Sequence, residues 1–173
     1  MYDKITAFNQ LVMIEFKPAL PEEFEILSDL AIESKSHWGY SPEQLDLWRP
    51  GLRVEKEYIR RNTVRTIWSD SQLVGFFAIK AGKENELEHL WLLPRVIGKG
   101  VGTRAFEEIK KEGALLGMKS LFIVSDPNAE DFYLKQEAKR IGEVESIPQN
   151  RFLPKLRYDL NVSNQRKLNE ILP

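Results

Sequence analysis

The sequence predicts an α/β fold built on a mixed sheet, and three observations carry that prediction. Three strand-like segments, "TVRTIWSD", "QLVGFFAIKAG" and "ELEHLWLLP", follow one another across short turns, the pattern of an antiparallel meander. Next, strand, glycine-rich turn, helix and strand run in order through "ELEHLWLLP", "VGTRAFEEIKKEGALLG" and "KSLFIVS". Such a crossover unit pairs its strands in parallel. Finally, 173 residues without a repeat, low-complexity stretch or linker are expected to form a single domain, 1–173, able to bury its own core.

The elements follow in order. "LVMIEFK" reads as a first strand. Pro18 and Pro21 then bracket a helix start, and "PEEFEILSDLAIESK" places Phe24, Leu27, Leu30 and Ala31 on one side. Ser41-Pro42 opens a short helix after the loop-rich "SHWGY", and "RVEKEYIRRN" carries a further turn or two. Ser69, Asp70 and Ser71 form the turn between the first two meander strands. After "KSLFIVS" come the turn "DPN", a helix "AEDFYLKQEA", and strands around "RIGEVES" and "LPKLRYDL". The tail "NQRKLNEILP" reads as an amphipathic turn without a defined place.

Composition narrows the chemistry. A hydrophobic fraction of 42% with 29% charged residues is that of an ordinary soluble protein, and a net charge of −1 gives no sign of a nucleic-acid binder. No run approaches the roughly 20 apolar residues of a membrane helix. "MYDKITAFNQ" has no continuous apolar stretch, so the expectation is a cytoplasmic protein without a secretory leader. Cysteine is absent, which removes disulfides, thiolate metal sites and a cysteine nucleophile. With two histidines, His37 and His89, a histidine-rich metal site is not expected either.

The stretch "PRVIGKGVGTR" puts Gly98, Gly100 and Gly102 between a strand and a helix. Helix N-termini leave backbone amides unpaired under the positive end of the dipole, and glycines let an anion approach them. Lys99 and Arg104 add formal charge. The spacing fits neither a P-loop nor a dinucleotide fingerprint. Anion nest and ligand-free turn are both compatible with this loop taken alone.

"LEHLWLLPRVIGKGVGTRAF" resembles the acetyl-CoA-binding motif of the GNAT N-acetyltransferase superfamily, through Trp91, Leu92, Pro94, Gly98, Lys99, Gly100 and Gly102. "DPNAEDFYLKQEA" resembles that family's second hallmark, through Asn128, Ala129, Phe132, Tyr133 and Lys135. The two motifs stand in the family's order, and the likeness runs from Thr63 to about Leu160. "SKSHWGYS", "HLW", "IGKG" and "DPNAEDFYL" are also similar to a bacterial subgroup of undefined substrate. Two departures stand out. Ile97 takes the place of the usual Arg or Gln, and Gln136-Glu137-Ala138 replaces an apolar-Gly-Phe helix end.

The resemblance implies a GNAT-like fold whose central sheet splays between strands four and five. It also implies acetyl transfer from acetyl-CoA to a primary amine by direct attack in a ternary complex. Acetyl-CoA is then the co-substrate and no metal is required. The pyrophosphate falls to the amides around Ile97, Gly98, Lys99, Gly100, Val101, Gly102 and Thr103. The pantetheine arm falls to the backbone of Trp91 and Leu92 and to Asn128, beside Phe132. Tyr133 is the expected donor to the departing thiolate, with burial in the core as its plainer alternative. An ammonium has a reference pKa near 10.4, so its proton needs a base. Glu88 is the first candidate and His89 the second, and strand alternation puts them on opposite faces unless a bulge intervenes. Asn128 is also a candidate helix N-cap.

His37, Trp38 and Tyr40 are the candidate acceptor-site residues, with a satellite core under a loop as the rival reading. The acceptor is a small-molecule or peptide amine; neither nucleic acid nor membrane is an expected partner. Oligomeric state stays open: dimers are common in the family, and the C-terminal strands are the contact to look for. Two alternatives accompany this reading, a catalytically silent CoA-binding module and transfer of another acyl group.

Overall fold

Asp70 and Ser71 both take positive φ, 48° and 65°, and close a two-residue hairpin between the first two meander strands. Such turns match the right-handed twist of the strands they join. The turn is one residue shorter than expected, because Ser69 still pairs with Gln72 across the ladder. The computed structural model describes residues 13–147 and 151–160. The N-terminal "MYDKITAFNQ", the first two residues of "LVMIEFK" and the C-terminal "NQRKLNEILP" lie outside the described residues.

The strands are β1 (Ile14–Pro18), β2 (Thr63–Ser69), β3 (Gln72–Lys80), β4 (Glu86–Leu92), β5 (Ser120–Val124), β6 (Lys139–Ser146) and β7 (Arg151–Asp159). They form one sheet in the order β1-β2-β3-β4-β5-β7-β6. Every pairing is antiparallel except β4 with β5. The parallel pair is the product of the crossover, as the sequence predicts.

Helices cover both faces. On one side α1 (Phe24–Ser36), α2 (Pro42–Leu52) and α3 (Lys56–Arg61) bring Leu27, Leu30, Trp48, Leu52 and Ile59 against Phe76 and Ala78 of β3. On the other, α4 (Val101–Leu115) and α5 (Glu130–Lys135) bring Val101, Phe106, Ile109 and Tyr133 against Phe77 and Ile79. A strand buried on both faces cannot alternate polar with apolar, hence the continuous "VGFFAI". Ser41 caps α2 as anticipated: its hydroxyl accepts from the Gln44 amide, and the Gln44 side chain accepts from the Ser41 amide.

Between β4 and β5 the sheet comes apart. They share a single register position, Glu86 with Phe122, beside the bond from the Phe122 amide to the Asn85 carbonyl at 2.8 Å. Beyond it the strands diverge, and a cavity of about 470 Å³ opens between them. This is the splay that the family likeness implies.

The second motif ends in a left-handed turn although it lacks the usual glycine. Glu137 takes φ 69° just past α5, and the Ala138 amide closes back on the Tyr133 carbonyl at 3.1 Å. Left-handed positions at helix C-termini are usually glycine, so a glutamate here carries strain.

Candidate active site

Leu93 and the residues after it turn the chain from β4 into α4. The Leu93 amide bonds the Val74 carbonyl at 2.8 Å, a short 3₁₀ turn follows at Pro94–Val96, and the Lys99 amide returns to Val96. Gly98 and Gly100 take φ 75° and 81°, with open space where a Cβ would stand. They are glycine for conformation. Gly102 is glycine for packing: a Cβ there would lie 3.1 Å from the Phe132 ring.

The first bond of α4 runs from the Arg104 amide to the Gly100 carbonyl, so the amides of Val101, Gly102 and Thr103 precede it and have no helical acceptor. Ile97, Gly98, Gly100, Gly102 and Thr103 all line the cavity. Val101, its side chain buried in the core, and Lys99, which is exposed, both lie outside the lining.

Trp91 and Leu92 line the cavity from the open edge of β4, and Asn128, Phe132 and Tyr133 line it from the far side. Phe106, Phe132 and Tyr133 form a cluster of edge-on rings with centroids 5.1–6.2 Å apart. Burial pushes the Tyr133 phenol well above its ordinary pKa, so at neutral pH it is an O–H donor. That hydroxyl has no hydrogen-bond partner among the described residues. Tyr133 is thus both packed in the core and part of the cavity wall.

A bulge overturns the alternation in β4. Ala78 pairs with His89 but Ile79 pairs with Leu87, so Glu88 is the extra residue. Leu87 consequently joins Leu90 and Leu92 on the α4 side, whereas strict alternation had put it with His89. Glu88 and His89 now meet the same ring. The Tyr58 hydroxyl donates to Glu88 at 2.8 Å, and that ring stands edge-on to His89 at 5.4 Å. Lys80 approaches the Glu88 carboxylate at 3.5 Å.

Of the two candidate bases, only Glu88 lines the cavity. His89 is buried, and its Nδ1 accepts from the Trp91 indole at 3.0 Å. Burial lowers its pKa, against the pull of Glu88 and with the push of Lys80.

The candidate acceptor residues separate. Trp38 lines the cavity; His37 is exposed and packs edge-on to the Trp38 ring. Tyr40 lies outside the lining, its ring 4.5 Å from Trp48 and its hydroxyl inside a buried charged cluster. At the centre of that cluster is Asp126. It pairs with Lys35, accepts from the Tyr40 hydroxyl at 2.9 Å and from the Asn128 backbone at 2.9 Å, and lies 3.6 Å from Arg151. Asp126 and not Asn128 is thus the cap of the turn before α5, because only the Asp126 side chain reaches that amide. Burial would raise the Asp126 pKa, but Lys35, the Asn128 amide and Tyr40 together hold it below the ordinary value.

Lys35, Tyr58, Asp126 and Arg151 escaped the sequence reading. For Lys35 a signal existed: Leu27, Ala31 and Lys35 recur at helical spacing, which places the lysine on the buried face of α1. The other three meet their partners across 30 residues or more, and no local pattern announces that.

Sheet, splay, glycine turn and tyrosine-bearing helix together define an acyltransferase-type α/β fold. Residues 40–145 match the model of the GNAT acetyltransferase domain, and the chain belongs to that family. No curated protein matches the sequence. Among solved structures, it is similar to a PaiA N-acetyltransferase from Thermoplasma acidophilum in complex with coenzyme A, at 24% identity and TM-score 0.67, over 84% of this chain and 99% of that one. A GCN5-related N-acetyltransferase from Rhodopseudomonas palustris aligns at 17% identity and TM-score 0.72, over 87% and 98%. An N-acetylglutamate synthase from Neisseria gonorrhoeae, complexed with coenzyme A and N-acetyl-glutamate, aligns at 17% and 0.64, over 88% of this chain and 36% of that one. At these identities the likeness concerns the fold.

Among the described residues no group of three or more His, Asp or Glu is placed to hold a metal. No described helix is long and apolar enough to cross a membrane.

Proposed function

We propose that the protein transfers an acetyl group from acetyl-CoA to a primary amine within a ternary complex. The observation that carries this reading is the cavity itself. It runs from the glycine turn, along the open edge of β4, to Tyr133 and Glu88. One continuous groove then joins an anion-binding end to a proton donor and a proton acceptor. The residues fit the co-substrate by their chemistry. Amides without helical acceptors at Val101, Gly102 and Thr103 suit a pyrophosphate. An unpaired strand edge at Trp91 and Leu92 suits the amides of an extended arm.

Acetyl-CoA supplies the activated thioester, and the chain supplies positioning and proton transfer. The amine nitrogen forms the new C–N bond as the C–S bond breaks. Glu88 takes the proton the ammonium must lose, directly or through water, and the second proton, shed by nitrogen as the C–N bond forms, goes to solvent and balances the one Tyr133 gives up. Tyr133, held in its protonated form by burial, donates to the thiolate as charge develops on sulfur. Trp38, which lines the same cavity, is the remaining candidate for contact with the acceptor. The loop lacks the fingerprints of dedicated ATP and NAD sites, so those nucleotides would meet only the amides of the turn.

Calorimetric titration with acetyl-CoA, and separately with ATP and NAD, tests the reading. Saturable binding of acetyl-CoA, tighter than that of ATP or NAD, followed by turnover on an amine panel, is expected. No acetyl-CoA binding removes the proposal; binding without turnover on any amine would favour a silent CoA-binding module.

A further inference from the structure

Beside the cavity, which Asp126 itself helps to line, a buried charged cluster ties four separate segments together. Lys35 comes from the end of α1, Tyr40 from the following loop, Asp126 from the turn after β5 and Arg151 from the start of β7. Lys35 and Asp126 side chains are each 8% exposed. The Lys35 ammonium also lies 4.7 Å from the Trp48 ring centroid and 5.9 Å from that of Trp91. A buried ion pair of this kind adds little net stability over an apolar packing, although breaking it is costly. Its presence calls for another account, and the hydrogen bonds of Asn128 supply one.

The Asn128 side chain meets two oxygens at 3.0 Å, the Tyr40 hydroxyl and Asp126 Oδ1. An ionised carboxylate only accepts, so the atom facing it must be the amide NH₂. The Tyr40 proton is already directed at Asp126, which leaves the phenolic oxygen to accept from Asn128 and from Arg151, the latter at 3.2 Å. Both donors of the amide are therefore used on the cluster side. The carbonyl Oδ1 makes no hydrogen bond among the described residues, and Asn128 lines the cavity. The amide can face a ligand only as an acceptor.

We infer that Asp126, acting directly and through Tyr40, is a positioning residue that fixes the Asn128 amide with its carbonyl available to a secondary-amide N–H of the bound arm. The inference rests on the reading of the cavity as an acetyl-CoA site. It also assigns Tyr40 a different task from acceptor contact: it links the loop carrying Trp38 to the wall carrying Asn128.

The test measures affinity for two probes, acetyl-CoA and ADP, in the wild type and in Tyr40→Phe, Asn128→Ala and the double variant. ADP offers a pyrophosphate to the glycine turn but has no amide arm. Tyr40→Phe keeps the ring on Trp48 and removes one hydroxyl, so it spares the packing that Asp126→Asn would put at risk. We expect Tyr40→Phe to weaken acetyl-CoA about tenfold and leave ADP unchanged. The double variant should bind acetyl-CoA no more weakly than Asn128→Ala alone, since Tyr40 works through Asn128. Wild-type affinity in Tyr40→Phe, equal losses for both probes, or additive losses in the double variant would each overturn the inference. A wild type that binds no acetyl-CoA would instead fail the reading of the site.

Discussion

The Tyr58 hydroxyl of α3 donates to the Glu88 carboxylate of β4 at 2.8 Å, across 30 residues of sequence. The contact exists because the bulge at Glu88 turns that residue onto the face where Tyr58 and His89 already pack. On the proposed reading Tyr58 orients the base and Glu88 takes the proton. Glu88→Gln should then lower kcat by about two orders of magnitude or more. Tyr58→Phe should cost less, and the double variant should be no slower than Glu88→Gln. Steady-state kinetics on one acceptor amine check this; independent, multiplying losses would separate the two residues.

Tyr133→Phe tests the other end of the proton path. Its hydroxyl has no partner to lose among the described residues, so the variant should fold with an unchanged Tm. The expected result is a kcat lowered about a hundredfold with acetyl-CoA affinity retained. Wild-type turnover would return Tyr133 to a purely packing role.

Glu137 carries a prediction about stability alone. At φ 69° it occupies a conformation that costs a side-chain-bearing residue about 1–2 kcal/mol. Glu137→Gly relieves that strain, offset in part by the greater freedom of glycine in the unfolded chain. A net gain of about 1 kcal/mol is expected, or a Tm rise of about 2–4 °C by differential scanning calorimetry.

His89 ties stability to pH. Burial lowers its pKa from 6.5, with Glu88 opposing, Lys80 assisting, and the rings of Tyr58 and Phe76 packed around it. Below about pH 6.5 the unfolded chain binds a proton that the folded chain resists, so stability falls as pH drops, by at most ~1.4 kcal/mol per pH unit. His89→Gln keeps a side-chain acceptor for the Trp91 indole and removes the titration. Urea midpoints between pH 7 and 5 should decline more steeply for the wild type than for this variant. The depressed carboxyl of Asp126 acts only at lower pH, since its unshifted value is 3.8.

Where information was local, sequence and structure agree. Short turns and apolar runs specified the meander, the glycine turn and crossover specified the parallel pair, and Ser41-Pro42 specified the start of α2. The same locality placed Gly98, Gly100, Trp91, Phe132 and Tyr133 on one cavity, because two motifs separated by a helix and a strand have little freedom in where they meet. Tertiary structure alone decided the rest. The bulge at Glu88 changes side-chain parity by one residue, and the opposing strand sets its position through the pairing of Ala78 and Ile79. Asp126 looked like a turn residue and became the centre of a charged cluster, since its partners Lys35, Tyr40 and Arg151 lie in other segments. Periodicity reports which face a residue occupies; it carries no record of which distant side chain waits there.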